Sequence, residues 1–213
     1  MNKLQFISQG ETAEQQLKGI KTVLDGGGKW IQLRYKNASL TDIHNLGLRV
    51  KKLCEAYDAT FIINDHIRIA INLDADGIHL GLDDAPVKEA RQLLGPNKII
   101  GGTANTWQDV LNRIEEKVDY IGLGPLRFTK TKERLSPILG LEGYQNILSQ
   151  KMAKGNNTPI YAIGSVVAED IPDLLSFGVY GIAVSSALLE KPDTAPIIQT
   201  INEKLYGSLD HSR

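Results

Sequence analysis

Cysteine is nearly missing from this chain. The 213 residues contain one, Cys54, inside the helical pattern VKKLCEAY. No disulfide can close within the chain, and a lone thiol in an amphipathic pattern is expected to fill core space. Long apolar runs are missing as well, since none approaches the roughly 18 residues that a membrane span requires. The opening residues, MNKLQFISQGE, turn polar too early for a secretory signal. Net charge is small: 24 Lys and Arg stand against 25 Asp and Glu, leaving −1. Such a balance gives no field for general nucleic-acid binding. Together these absences lead to the expectation of a soluble, cytoplasmic protein. No linker or low-complexity stretch divides the chain, and its length suffices for one ordinary core. The expected organisation is one domain over 1–207 with a frayed tail at 208–213.

What the chain does have is alternation. Eight short apolar runs rich in Ile, Val and Tyr recur: LQFIS (4–8), KWIQLR (29–34), TFIIN (60–64), GIHL (77–80), KIIGGT (98–103), DYIGLG (119–124), IYAIG (160–164) and GIAVS (181–185). Between them lie segments with apolar residues three and four apart, among them 12–24, 40–57, 87–94, 106–116 and 168–178. That spacing predicts one-faced helices. Strands apolar on both faces, each followed by a helix, predict a parallel sheet covered by helices. Eight such units fit an α/β fold that closes as a single-domain (β/α)8 TIM barrel. An open doubly wound sheet is the alternative, but no Gly-rich dinucleotide fingerprint follows the first strand.

In such a barrel, chemistry collects at the C-terminal ends of the strands. This sequence places Gln32, Arg34 and Lys36 after the second strand, and Asn64 and Asp65 after the third. His79 lies on the fourth, followed by Asp84, and Thr103 ends the fifth. The sixth opens the loop GPLRFTKTK (124–132), and Ser165, Ser185 and Ser186 end the last two. A basic loop in a neutral chain is either a solvated surface or an anion site. Arg34, Lys36 and Lys132 are cations that can converge on one anion. Asp65 and Asp84 either pair with those cations or hold Mg²⁺, which favours one or two carboxylates plus phosphate oxygens. Zinc is not indicated, because His79 has no His or Cys companion at ligand spacing; His79 is expected to pack behind the site. Ser165, Ser185 and Ser186 form either ordinary turns or a phosphate cradle beside the short segment ALLE. Loop 124–132 would then bridge two phosphorylated small molecules.

QLRYK (32–36), INDH (63–66), DGIHLGLDD (76–84), GPLRFTKTK (124–132), YAIGS (161–165) and GIAVSSAL (181–188) follow one another at spacings that resemble the thiamine phosphate synthase family. The resemblance covers almost the whole chain. It implies a (β/α)8 barrel, a transferase that joins hydroxymethylpyrimidine diphosphate to hydroxyethylthiazole phosphate, and Mg²⁺ as cofactor. It further implies that Gln32, Arg34, Lys36, Asn64, Thr103 and Lys132 bind the pyrimidine diphosphate, with Arg34, Lys36 and Lys132 acting on the leaving group. Asp65 and Asp84 would hold the metal, and Thr129, Thr131, Ser165, Ser185 and Ser186 would bind the thiazole phosphate. Three departures stand out. Ser165 replaces a common glycine, which keeps a backbone N–H contact provided φ there is negative. Phe128 and Lys130 stand where prolines are common, and Ser8-Gln9 where an acidic residue is common. A related branch, a thiazole tautomerase on the same fold, typically lacks the metal-site carboxylates. That isomerase and a non-catalytic phosphate-binding barrel are the rival readings. The sequence leaves oligomeric state open, a homo-oligomer being compatible with it.

Overall fold

The computed structural model describes residues 1–128, 137–190 and 193–207. Eight parallel strands close on themselves: β1 (Leu4–Ile7), β2 (Trp30–Leu33), β3 (Thr60–Asn64), β4 (Gly77–Leu80), β5 (Ile99–Ala104), β6 (Tyr120–Leu123), β7 (Ile160–Ile163) and β8 (Gly181–Val184). β1 and β8 seal the barrel through Leu4↔Ile182, Gln5↔Ala183 and Phe6↔Val184. All eight predicted strands are present, within a residue or two of their expected ends. Their helices are α1 (Ala13–Asp25), α2 (Leu40–Ala56), α3 (Ile67–Asn72), α4 (Val87–Leu94), α5 (Trp107–Glu115), α6 (Gly140–Ala153), α7 (Ile171–Ser176) and α8 (Ala195–Tyr206). The segment 168–178, expected as one helix, begins instead with a 3₁₀ turn, Ala168–Asp170, before α7.

Local chemistry explains where several helices start. Thr12 accepts the N–H of Gln15 while the Gln15 side chain reaches back, a capping box that opens α1. Thr106 and Asp109 do the same for α5, and Ser39 caps α2 through the Asp42 N–H. Cys54 is 1% exposed in the helix–strand core, and burial pushes its thiol up to about 12, so it is inert filler as expected.

Two cores result. The larger lies between the strands and the helices. The smaller lies inside the barrel and is built from Trp30, Ile62, Tyr120 and Tyr161. Trp30 meets the Tyr120 and Tyr161 rings edge-on, each at 5.1 Å, and those two tyrosines meet at 5.4 Å. Gly101 makes room for this plug, because a Cβ there would fall 2.1 Å from the Tyr120 ring. Beneath it the first residues cross the N-terminal end of the barrel: Tyr161 donates to the Asn2 carbonyl and Tyr180 to that of Met1. Among the described residues, the barrel is therefore closed below and open at the C-terminal ends of its strands. Among the described residues, no helix is long and apolar enough to cross a membrane.

Candidate active site

Above the aromatic plug lies a cavity of about 140 Å³. Every strand contributes to its lining, through Ile7, Gln32, Asn64, His79, Thr103, Gly122, Ile163 and Ala183 in chain order, with Val184 beside the last. Val184 apart, this is the inward set that period-two alternation selects. For scale, an apolar cavity of about 150 Å³ accommodates one benzene ring. The floor is neutral and polar. Gln32 donates to Asn64 Oδ1 at 2.7 Å, which leaves its own buried Oε1 without a partner among the described residues. His79 bonds Thr103 Oγ1 at 3.0 Å through Nε2 and Tyr120 Oη at 3.0 Å through Nδ1. Expected behind the site, His79 thus also faces the cavity.

The rim beside β2–β4 is charged. Asp65 sits just past β3 with φ 66°, a left-handed conformation that Asp tolerates better than most residues. Its N–H is held by the His79 carbonyl at 2.9 Å. Asp84 accepts the Gly81 N–H at 2.6 Å, which fixes the turn before α4. The Asp65 carboxyl lies within hydrogen-bonding reach of that of Asp84. Burial, then that contact and the Asp84 charge, pushes Asp65 up to about 7; Lys36 and Arg34 pull in the opposite direction. So Arg34, Lys36, Asp65 and Asp84 do converge, and the two carboxylates face each other. Such a pair requires either a shared proton or a cation between them. No group of three or more His, Cys, Asp or Glu side chains suited to a metal occurs among the described residues. A hard cation that takes its other ligands from phosphate and water fits two carboxylates.

The rim beside β6–β8 is built differently. Arg127 makes a two-pronged ion pair with the buried Asp170, at 2.6 and 2.5 Å, and donates to the Ser165 carbonyl at 3.2 Å. One of the three cations in loop 124–132 is thus structural. Ser165 donates through Oγ to the Phe128 carbonyl at 2.8 Å, joining the turn after β7 to the loop after β6. Its φ is +51°, following Gly164 at +95°, so the condition of a negative φ set for the backbone contact at Ser165 is not met. Gly164 itself has no room for a side chain, since a Cβ there would lie 2.5 Å from Pro125. Ser165, Ser185 and Ser186 all border the cavity mouth. Ser186 opens a 3₁₀ turn, Ser186–Leu188, which overlaps the segment ALLE. Thr129, Thr131 and Lys132 lie outside the described residues, as do 208–213.

One supporting residue escaped the sequence reading. Arg113 of α5 is 6% exposed. It donates to the Thr103 carbonyl at 3.0 Å and the Gly81 carbonyl at 2.8 Å, clamping the end of β5 to the Asp84 turn. Its signal was an arginine three residues after the buried Val110, on the inward face of α5.

A family model, Thiamine monophosphate synthase, matches residues 4–188. A thiamine-phosphate synthase of Flavobacterium johnsoniae is 52% identical over 209 residues, 98% of each chain. One from Flavobacterium psychrophilum is 50% identical over 204 residues, 96% of this chain and 99% of that one. Among solved structures, a thiamine phosphate pyrophosphorylase from Pyrococcus furiosus superposes with a TM-score of 0.82 at 29% identity, covering 97% of this chain and 96% of that one. With the matched segment running from β1 to the turn after β8, the chain belongs to the thiamine monophosphate synthase family.

Proposed function

We propose that this protein joins 4-amino-2-methyl-5-hydroxymethylpyrimidine diphosphate to hydroxyethylthiazole phosphate, giving thiamine phosphate and pyrophosphate. The observation that carries this reading is a ring-sized neutral cavity directly below a rim of facing carboxylates and cations. A flat heteroaromatic ring fits below and a diphosphate above. The facing carboxylates also favour the synthase over the tautomerase, which has no diphosphate to expel.

The bond that forms runs from the thiazole nitrogen to the pyrimidine methylene carbon. The bond that breaks joins that carbon to the diphosphate oxygen, and its electron pair leaves with pyrophosphate. The attacking nitrogen has no proton to lose, so no general base is needed. Expelling the diphosphate is the demanding part, and Arg34, Lys36 and Lys132 stabilise its growing charge. Gln32, Asn64 and Thr103 hold the ring, whose amino group helps delocalise positive charge on the methylene. Ser165, Ser185, Ser186, Thr129 and Thr131 hold the thiazole phosphate so that its nitrogen lies in line. Asp65 and Asp84 fit Mg²⁺ as ligands, and the ion supplies charge neutralisation at the diphosphate when bound. The reading places the reaction in the cytosol, in line with the single inert thiol.

Incubating the protein with both phosphorylated halves and Mg²⁺ tests the proposal. Formation of thiamine phosphate and pyrophosphate in equal amounts is expected, and no product from either half alone. Failure to couple the halves, with the protein folded, overturns it.

A further inference from the structure

The interior of the barrel contains a chain of side-chain hydrogen bonds whose direction can be followed from the Gln5 amide at its buried end. Gln5 donates from Nε2 to Tyr120 Oη at 3.1 Å. Tyr120 is fully buried, and burial holds its phenol well above the usual range, so the hydroxyl keeps its proton. A phenol has one proton. With Gln5 supplying an N–H to the oxygen, that proton has His79 Nδ1, 3.0 Å away, as its acceptor. That arrangement would place the imidazole's own proton on Nε2, for donation to Thr103 Oγ1 at 3.0 Å. Thr103 receives a hydrogen bond from behind, so its own hydroxyl proton is turned towards the cavity it lines.

The rings that set this direction cannot easily turn. Tyr120 is held edge-on between Trp30 and Tyr161. A Cβ at Gly122 would stand 3.1 Å from His79 Cε1, so the imidazole lies close against β6. Gln32 Oε1 completes the floor as a buried acceptor without a partner among the described residues. A donor hydroxyl and an acceptor carbonyl in one ring-sized cavity complement a 4-aminopyrimidine, which offers a ring nitrogen as acceptor beside an amine as donor.

We propose that Gln5, Tyr120 and His79 are positioning residues that lock the Thr103 hydroxyl as a donor to a ring nitrogen of the aminopyrimidine. This rests on the reading of the pyrimidine half as the ligand of the cavity. The tautomer of His79 in the ligand-free protein tests the relay without any substrate. In the two-bond ¹⁵N–¹H spectrum of labelled protein, His79 is assigned by its disappearance in His79→Gln. A proton on Nε2 is expected, and a proton on Nδ1 overturns the proposal. Tyr120→Phe should turn that single tautomer into a mixture. Gln5→Leu should do the same with less disturbance of the aromatic plug, and serves if Tyr120→Phe does not fold. An unchanged tautomer in a folded variant overturns the relay.

Binding reads the outward end. In titrations of the pyrimidine diphosphate alone, Thr103→Val should raise Kd about tenfold, the usual scale of one lost neutral hydrogen bond in a desolvated site. Thr103→Ser should leave it within about twofold. Equal binding by Thr103→Val and the wild type overturns the donor role while leaving the proposed reaction intact. A protein that shows the Nε2 tautomer and binds the diphosphate, yet never forms thiamine phosphate, overturns the reaction and supports the relay.

Discussion

The two halves of the rim treat charge in opposite ways. Beside β6 and β7, Arg127 and Asp170 are paired in two-pronged geometry, and Asp170 also accepts the Val167 N–H at 2.9 Å. Those contacts, the Arg127 bond first, hold the Asp170 carboxyl below its usual range. Beside β3 and β4, two carboxyls face each other, and Asp65 is held above its usual range. One half is at rest by itself; the other is incomplete without a proton or a cation. Stability resides in the first, and the capacity to bind resides in the second.

The largest test of this contrast is chemical. Asp65→Asn and Asp84→Asn should each lower turnover by about a hundredfold or more, the scale of losing electrostatic stabilisation of a transition state, with the far-ultraviolet circular dichroism unchanged. Near-normal turnover at limiting Mg²⁺ by either variant would remove that residue from the ligand set. Lys132→Ala should cost on the same hundredfold scale, whereas Lys130→Ala should stay within about threefold, since the proposed reaction assigns the leaving-group cation to Lys132 and no role to Lys130. Comparable losses from both would mean that loop 124–132 acts as a diffuse basic patch.

Thermal unfolding sharpens the comparison. A carboxyl held above its unfolded value contributes stability at low pH and loses it as pH rises through the folded value. For Asp65 that window runs from 3.8 to about 7. At pH 8 without Mg²⁺, Asp65→Asn should therefore melt higher than the wild type, by roughly 3 °C or more. Mg²⁺ should raise the melting temperature of the wild type and not of the variant. Asp170 behaves in the opposite sense: its contribution is intact above 3.8 and disappears as pH falls through its lowered folded value. Arg127→Met should cost about 1–2 kcal/mol at pH 7, or roughly 3–6 °C, with no dependence on Mg²⁺. A magnesium-sensitive melting point in Arg127→Met beyond that of the wild type would show that the two halves are coupled.

The smallest effect is expected at Ser165. Its left-handed backbone costs about 1 kcal/mol relative to glycine, while its Oγ bond to the Phe128 carbonyl returns a similar amount. Ser165→Gly should then melt within about 2 °C of the wild type, and Ser165→Ala, which keeps the strain and loses the bond, should melt lower. If Ser165→Ala matched the wild type, the tie between the two loops would carry no weight.

The strands were legible because each is buried on both faces, which leaves continuous apolar runs in the sequence. The helices that begin after Thr12, Ser39 and Thr106 were legible from apolar residues three and four apart, and each of those residues caps its helix. α6 and α8 carry no such start signal: Leu139 and Thr194 precede them without a side-chain cap. Rim residues such as Asp65 and Thr103 could be read from their positions at strand ends. The partner of Arg127 could not, since Asp170 lies 43 residues away. Nor could the backbone carbonyls that Arg113 clamps, or the positive φ at Ser165.

The aromatic plug has a consequence for traffic. With Trp30, Tyr120 and Tyr161 closing the barrel from below, the cavity has one door. Whatever occupies the floor must arrive before anything that settles over it, and must leave after it. Under the proposed reaction, the pyrimidine half is first in and the last part of the product to clear the doorway, so the enzyme works as a queue, with its order set by three rings at the closed end.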